Sequence, residues 1–320
     1  MLVAAVAGWA TQGAAQTKWD MSIVWPAGNF HTRNAMAYAE AVKQRTGGRV
    51  DITVHAGGAL GLKGPETLKA VQNGIVPLGE MTAFQQVGEE PILGIESVPF
   101  LVGSYDDLAA LHEFAIPEWR KALQRHNQEL LYAVPFPAQN VFVKTRAQSL
   151  ADLKGVKIRT YDKNSSDLMT RLGMVPVQLP WADVVPSLSS GVITAVMTSS
   201  TSAVDGKFWE TLKFAYRTNH IWGSNILTVN RDALKKLSPA DQEVVLKAAA
   251  EMQPAFWNVS REDDDKSQAT LRSNGLVIEA PPGTMQADMR SAAAPMWDEF
   301  AVRVPAAAPI IKAYRTKTGR

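Results

Sequence analysis

One stretch of this 320-residue chain constrains the fold more than any other, the segment from Asp152 to Ser200. Its front, DLKGVKIRTYD, puts a short polar turn ahead of a run in which Val156, Ile158 and Thr160 alternate with Lys157, Arg159 and Tyr161. A two-residue period marks a half-buried strand, because successive side chains leave a strand from opposite faces. Arg159 therefore leaves from the face opposite Val156 and Ile158. A second strand, 176–179, ends at Pro180-Trp181, and a helix runs from near Ala182 to Gly191. A third apolar run, 192–197, gives way to five consecutive Ser/Thr residues. Strand, helix and strand in this order predict an open α/β sheet, whose ligands sit outside the carboxyl ends of the strands. Those ends carry one cation, one large aromatic and several hydroxyls, so the stretch is expected to form half of a small-molecule site.

The flanking chain repeats the alternation. Strands are expected at 18–25, 50–55, 76–81, 129–134 and 226–230, with helices at 29–45, 65–73 and 204–210. A helical region at 105–124 should break at Pro117, and 140–144 is a candidate crossover to a second domain. The loop GGALGLKG, Gly57 to Gly64, lacks the lysine-serine/threonine ending of a phosphate-binding loop and is read as a structural turn. From Ser238 the pattern turns strongly helical. Ser238 suits the N-cap, Pro239 the first helical position, and Asp241 and Glu243 the positive helix end. Asn274-Gly275 supplies the stop, giving about 35 residues and on the order of 50 Å. Pro254 should kink this helix. In a two-lobed protein it would brace both lobes. The acidic run Glu262-Asp263-Asp264-Asp265 points in several directions on a helix and is read as a solvated face.

Function classes are excluded by what is missing. A net charge of +2 argues against a nucleic-acid tract, and zero cysteines exclude thiolate metal sites and thiol catalysis. The five histidines show no ligand spacing, and no nucleophile elbow or zinc-protease motif is present. No metal, cofactor or enzymatic activity is therefore expected. The first fifteen residues, MLVAAVAGWATQGAA, carry no charge and end in small residues. They read as the remnant of a secretory signal cleaved near Ala15, which predicts a periplasmic protein.

Taken in order, DLKGVKIRT, RLGMVPVQLPWADVVPSLSSGVITAV, GGALG, ESVPFLV at 96–102 and TNHIW at 218–222 resemble the solute-binding subunits of tripartite ATP-independent periplasmic (TRAP) transporters. The resemblance covers nearly the whole chain after residue 15. It implies a two-lobed α/β periplasmic binding protein of the type II, Venus-flytrap kind, with two strands and a long helix spanning the lobes. The expected lobes are 16–137 plus 225–263, and 138–224 plus 264–320. It also implies that Arg159, the arginine of the KIR motif, pairs with the carboxylate of a bound organic acid. A planar guanidinium fork suits that task as lysine does not. Carried over with it are Trp181 as an aromatic over the ligand, and Trp25, Thr82 and Phe84 as first-lobe contacts. Asn140 stands where some acidic-sugar binders have a second arginine, Thr198 where many relatives have asparagine, and Trp222 and Asn225 follow the TNH motif. One cation beside Trp25, Phe84 and Trp181 suggests an aromatic 2-hydroxy or 2-oxo monocarboxylate such as mandelate or benzoylformate, or else a small aliphatic 2-oxo acid. Membrane permease subunits are the implied partners, and the receptor is expected to be a monomer. A ligand-sensing module or an enzyme on the same scaffold is the rival reading.

Overall fold

A computed structural model describes residues 16–319. The expected signal remnant, residues 1–15, lies outside them. In chain order the strands are β1 (Thr17–Ile23), β2 (Val50–His55), β3 (Leu78–Thr82), β4 (Gln128–Pro135), β5 (Gln139–Val143), β6 (Lys157–Thr160), β7 (Val175–Gln178), β8 (Ala195–Thr198), β9 (Phe214–Ile221), β10 (Ser224–Asn230) and β11 (Val277–Glu279). They form two sheets, β2-β1-β3-β10-β4 and β11-β9-β5-β8-β6-β7. Within each, the strands that lead into helices run parallel: β1 with β2 and β3, and β6 with β7 and β8. β10 and β5 insert antiparallel, because each arrives from the other sheet.

Two short passages carry the chain between the sheets, from β4 to β5 and from β9 to β10. They lie side by side, and Phe136 N donates to Gly223 O at 2.9 Å. Gly223 is required by close approach. A Cβ there would stand 2.0 Å from the Phe84 ring.

The long helix, Pro239–Ser273, starts as expected, with the Ser238 hydroxyl accepting from Asp241 N, and runs unbroken past Pro254. It spans both lobes. Its first half packs on the helix Phe30–Arg45, where Tyr38 donates to Val245 O, and its middle sends Trp257 Nε1 to Ala133 O and Ser260 Oγ to Pro135 O. Further along, Asp263 and Asp264 accept from Thr201 and Ser200 of the second lobe. These two acids are thus structural ties between elements, not part of a freely solvated face.

Two further expectations change. The helix Tyr105–Arg125 continues through Pro117, since Leu111, Ala115, Trp119 and Ala122 bury one continuous apolar face that outweighs a lost backbone bond. The tail is divided by packing. Met285 and Met289 join the second-lobe core, but Phe300, Ala307, Ile310, Ile311 and Tyr314 pack against Leu108, Leu111 and Trp119 of the first. Tyr314 donates to Leu101 O and Trp297 Nε1 to Pro99 O, both at 2.8 Å. The last helices therefore lie against the first lobe, whereas 264–320 was expected with the second. Among the described residues no helix is long and apolar enough to cross a membrane.

Candidate functional site

The carboxyl ends of the parallel strands face one another across the gap between the sheets. Arg159 sits on β6, opposite Val196 of β8, and one step further along the same face β5 and β8 pair Asn140 with Thr198. The arginine is 3 % exposed. Its Nε donates to Leu179 O at 3.1 Å, and its guanidinium lies 5.3 Å from the Tyr161 ring. Among the described residues it has no salt bridge to any carboxylate. Burial pulls its pKa down to about 10, opposed by the nearby Tyr161 and Asp162, so it stays charged at neutral pH. A cation held out of water without a counter-ion is costly. An anionic ligand would supply the missing charge.

The first lobe answers with a row of side chains on one face of its sheet. Asn225 of β10 pairs with Thr82 of β3, and the Thr82 hydroxyl donates to Asn225 Oδ1 at 2.8 Å. Glu80, two residues back on the same face, is fully buried and next to Ile23 of β1. Trp25, just past the end of β1, is buried, and its Nε1 has no hydrogen-bond partner among the described residues.

Contacts across the gap are aromatic and polar. Phe84 stacks on Tyr161 at 4.3 Å, and Trp25 meets Trp181 at 5.4 Å. Asn29 Nδ2 donates to Asp205 Oδ2 at 2.6 Å, and Lys63 Nζ reaches Asp183 at 3.3 Å. Trp181, half-buried, also closes a hollow of about 200 Å³ with Gly57, Gly58 and Gly64 of the glycine-rich loop. That loop folds back on the first strand, Gly57 N donating to Trp25 O and Gly58 N to Ile23 O, as a structural turn does.

The structure thus puts Arg159, Asn140 and Thr198 on one face of the second-lobe sheet and Thr82 beside Asn225 on the first-lobe sheet, while Trp25 and Phe84 meet Trp181 and Tyr161 across the gap. Trp222 is placed elsewhere. Its ring packs edge-on against Tyr105 at 4.8 Å within the first-lobe core. Sequence reasoning passed over Glu80, Tyr161 and the Leu179 carbonyl. Glu80 had a signal, a lone acid inside the apolar run VPLGEMT; the carbonyl had none.

Two lobes joined by paired strand crossings, with a buried cation at their meeting surface, define a bilobal solute receptor. The model of bacterial extracellular solute-binding protein family 7 matches residues 21–303, and the chain belongs to that family, the solute receptors of TRAP transporters. The family consists of binding proteins, not enzymes, and works in the periplasm. A solute-binding protein of Verminephrobacter eiseniae is 29% identical over 277 residues, 83% of this chain and 80% of that protein. The Bordetella pertussis extracytoplasmic solute receptor DctP7, solved as a receptor binding pyroglutamic acid, superposes with a TM-score of 0.90 at 30% identity, covering 93% of this chain and 99% of that one. A marine metagenome TRAP solute-binding protein specific for pyroglutamate, solved with the co-purified ligand, gives 0.90 at 32% identity, covering 94% and 99%.

Proposed function

We propose that this receptor captures a small cyclic monocarboxylate of the pyroglutamate type and delivers it to the permease subunits of a TRAP transporter. The observation that carries the reading is Arg159, buried, charged and without a carboxylate partner among the described residues. Its guanidinium binds the ligand carboxylate. Thr198 and Asn140 lie on the same sheet face as Arg159, and Thr82 and Asn225, paired on the first-lobe sheet, are the polar groups assigned to the other side of the ligand. Because both lobes contact the ligand, binding favours the closed form, as differential contact requires.

Pyroglutamate is preferred to an aromatic acid on two grounds. The relatives with that ligand share about a third of their residues with this chain. The aromatic rings that suggested mandelate or benzoylformate are engaged with one another across the lobes, Trp25 with Trp181 and Phe84 with Tyr161. Titration calorimetry with L-pyroglutamate, mandelate, benzoylformate and pyruvate tests the reading. Heat and a thermal shift with pyroglutamate are expected. Binding of mandelate but not pyroglutamate would reverse the choice of ligand, and binding of no carboxylate at all would remove the role of Arg159.

A further inference from the structure

Behind the first-lobe wall lies a set of buried polar atoms that carboxylate capture does not use. Among the described residues, both oxygens of Glu80, the Nδ2 of Asn225, the hydroxyl of Tyr132 and both ring nitrogens of His31 find no partner at full hydrogen-bond geometry. All four side chains are at most 1 % exposed. Leaving such groups unpaired costs about 1–3 kcal/mol each, so a fold that keeps several together has a use for them.

Their arrangement is specific. The Thr82 hydroxyl occupies Asn225 Oδ1, which leaves the amide nitrogen on the side of the Glu80 carboxyl. Glu80 Oε1 stands 3.3 Å from His31 Nδ1, and the His31 ring is held between Phe30 and Phe136 at 4.0 and 4.2 Å. Burial pushes Glu80 well up and His31 well down, so both favour their uncharged forms. One carboxyl oxygen faces the imidazole, and the Asn225 amide beside the carboxyl opposes the effect of burial, so an acceptor and a donor stand side by side.

An acceptor beside a donor is the complement of a cis-amide edge, which offers N–H and C=O side by side. We infer that Glu80 and Asn225 together read the amide edge of the bound acid, Glu80 Oε2 accepting its N–H and Asn225 Nδ2 donating to its carbonyl. The inference rests on the pyroglutamate reading and deepens it. Arg159 selects the carboxylate from the second lobe, and the first lobe selects the lactam. An acid lacking the N–H leaves the Glu80 oxygen unpaired.

The test compares L-pyroglutamate with 5-oxotetrahydrofuran-2-carboxylate, a lactone in which ring oxygen replaces N–H, by titration calorimetry on the full chain. The wild type is expected to bind the lactam at least about tenfold more tightly. Glu80→Met should bring that ratio close to one, while Glu80→Gln, which keeps an acceptor oxygen, should retain the preference. Equal wild-type affinities for the two ligands overturn the inference while leaving the carboxylate reading intact. A preference that survives in folded Glu80→Met overturns the assignment to Glu80. Should Glu80→Met not fold, the wild-type ratio and Glu80→Gln decide. If neither ligand binds the wild type, the pyroglutamate reading fails, and the inference with it.

Discussion

Replacing Arg159 by methionine should push stability and affinity in opposite directions. The guanidinium is buried with no carboxylate salt-bridge partner among the described residues. Burial holds its pKa below the ordinary guanidinium value, at about 10. At about 1.4 kcal/mol per pH unit this corresponds to roughly 3 kcal/mol held against the charged form. Methionine removes that cost but forfeits the hydrogen bond to Leu179 O, whose loss returns about 1–3 kcal/mol. The net effect is a ligand-free variant as stable as the wild type, or more stable by about 1–2 kcal/mol, a rise of a few degrees at most in melting temperature. Affinity moves the other way, by about 3–5 kcal/mol, since the ligand carboxylate then enters a buried site unpaired. Differential scanning calorimetry without ligand and titration calorimetry with pyroglutamate measure the two effects. A variant that melts well below wild type yet binds normally would show that Arg159 is a structural residue, and would refute the reasoning.

Three more outcomes follow from the same geometry. Gly223→Ala puts a methyl 2.0 Å from the Phe84 ring, driving it off Tyr161, and should cost about 1–3 kcal/mol in ligand affinity; unchanged affinity would show that the Phe84–Tyr161 contact does not support closure. Asn29→Ala removes the 2.6 Å bond to Asp205 across the gap and should weaken binding by about 2 kcal/mol, with Asp205→Ala no worse and the double variant equal to either, as a double-mutant cycle would show. Burial lifts Asp162 to about 6 from an ordinary 3.8, so its favourable contribution is complete below pH 3.8 and is lost as pH rises through 6. Asp162→Asn, which keeps the helix cap on Ser165 N, should therefore flatten the fall in melting temperature between pH 4 and 7. An unaltered pH profile would contradict that assignment.

Much of the scaffold was legible in the sequence, for identifiable reasons. The long helix announced itself by Ser238, Pro239 and Asn274-Gly275, because caps are local chemistry that tertiary structure rarely overrides. The strand carrying Arg159 was readable from alternation, and the structure keeps Arg159 and Ile158 on opposite faces. Where packing decides, local reading failed. Pro117 does not break its helix because the apolar face on both sides is buried. The C-terminal helix returns to the first lobe on Ile310, Ile311 and Tyr314, a choice of partner that an amphipathic pattern cannot encode. The same limit applied to the site. Arg159 carried a motif, but its anchor is a main-chain carbonyl, and Trp222 follows the TNH motif while its ring turns into the core. Thr82 and Asn225 meet only through strand register, which no single stretch contains.

The most direct test of the central claim is a crystal structure of the receptor grown with L-pyroglutamate. The account predicts the carboxylate on the Arg159 guanidinium, with both oxygens within about 3 Å of its terminal nitrogens and the two lobes closed over it. A ligand seated between the lobes with its carboxylate on any other group, and Arg159 still unpaired, would contradict it.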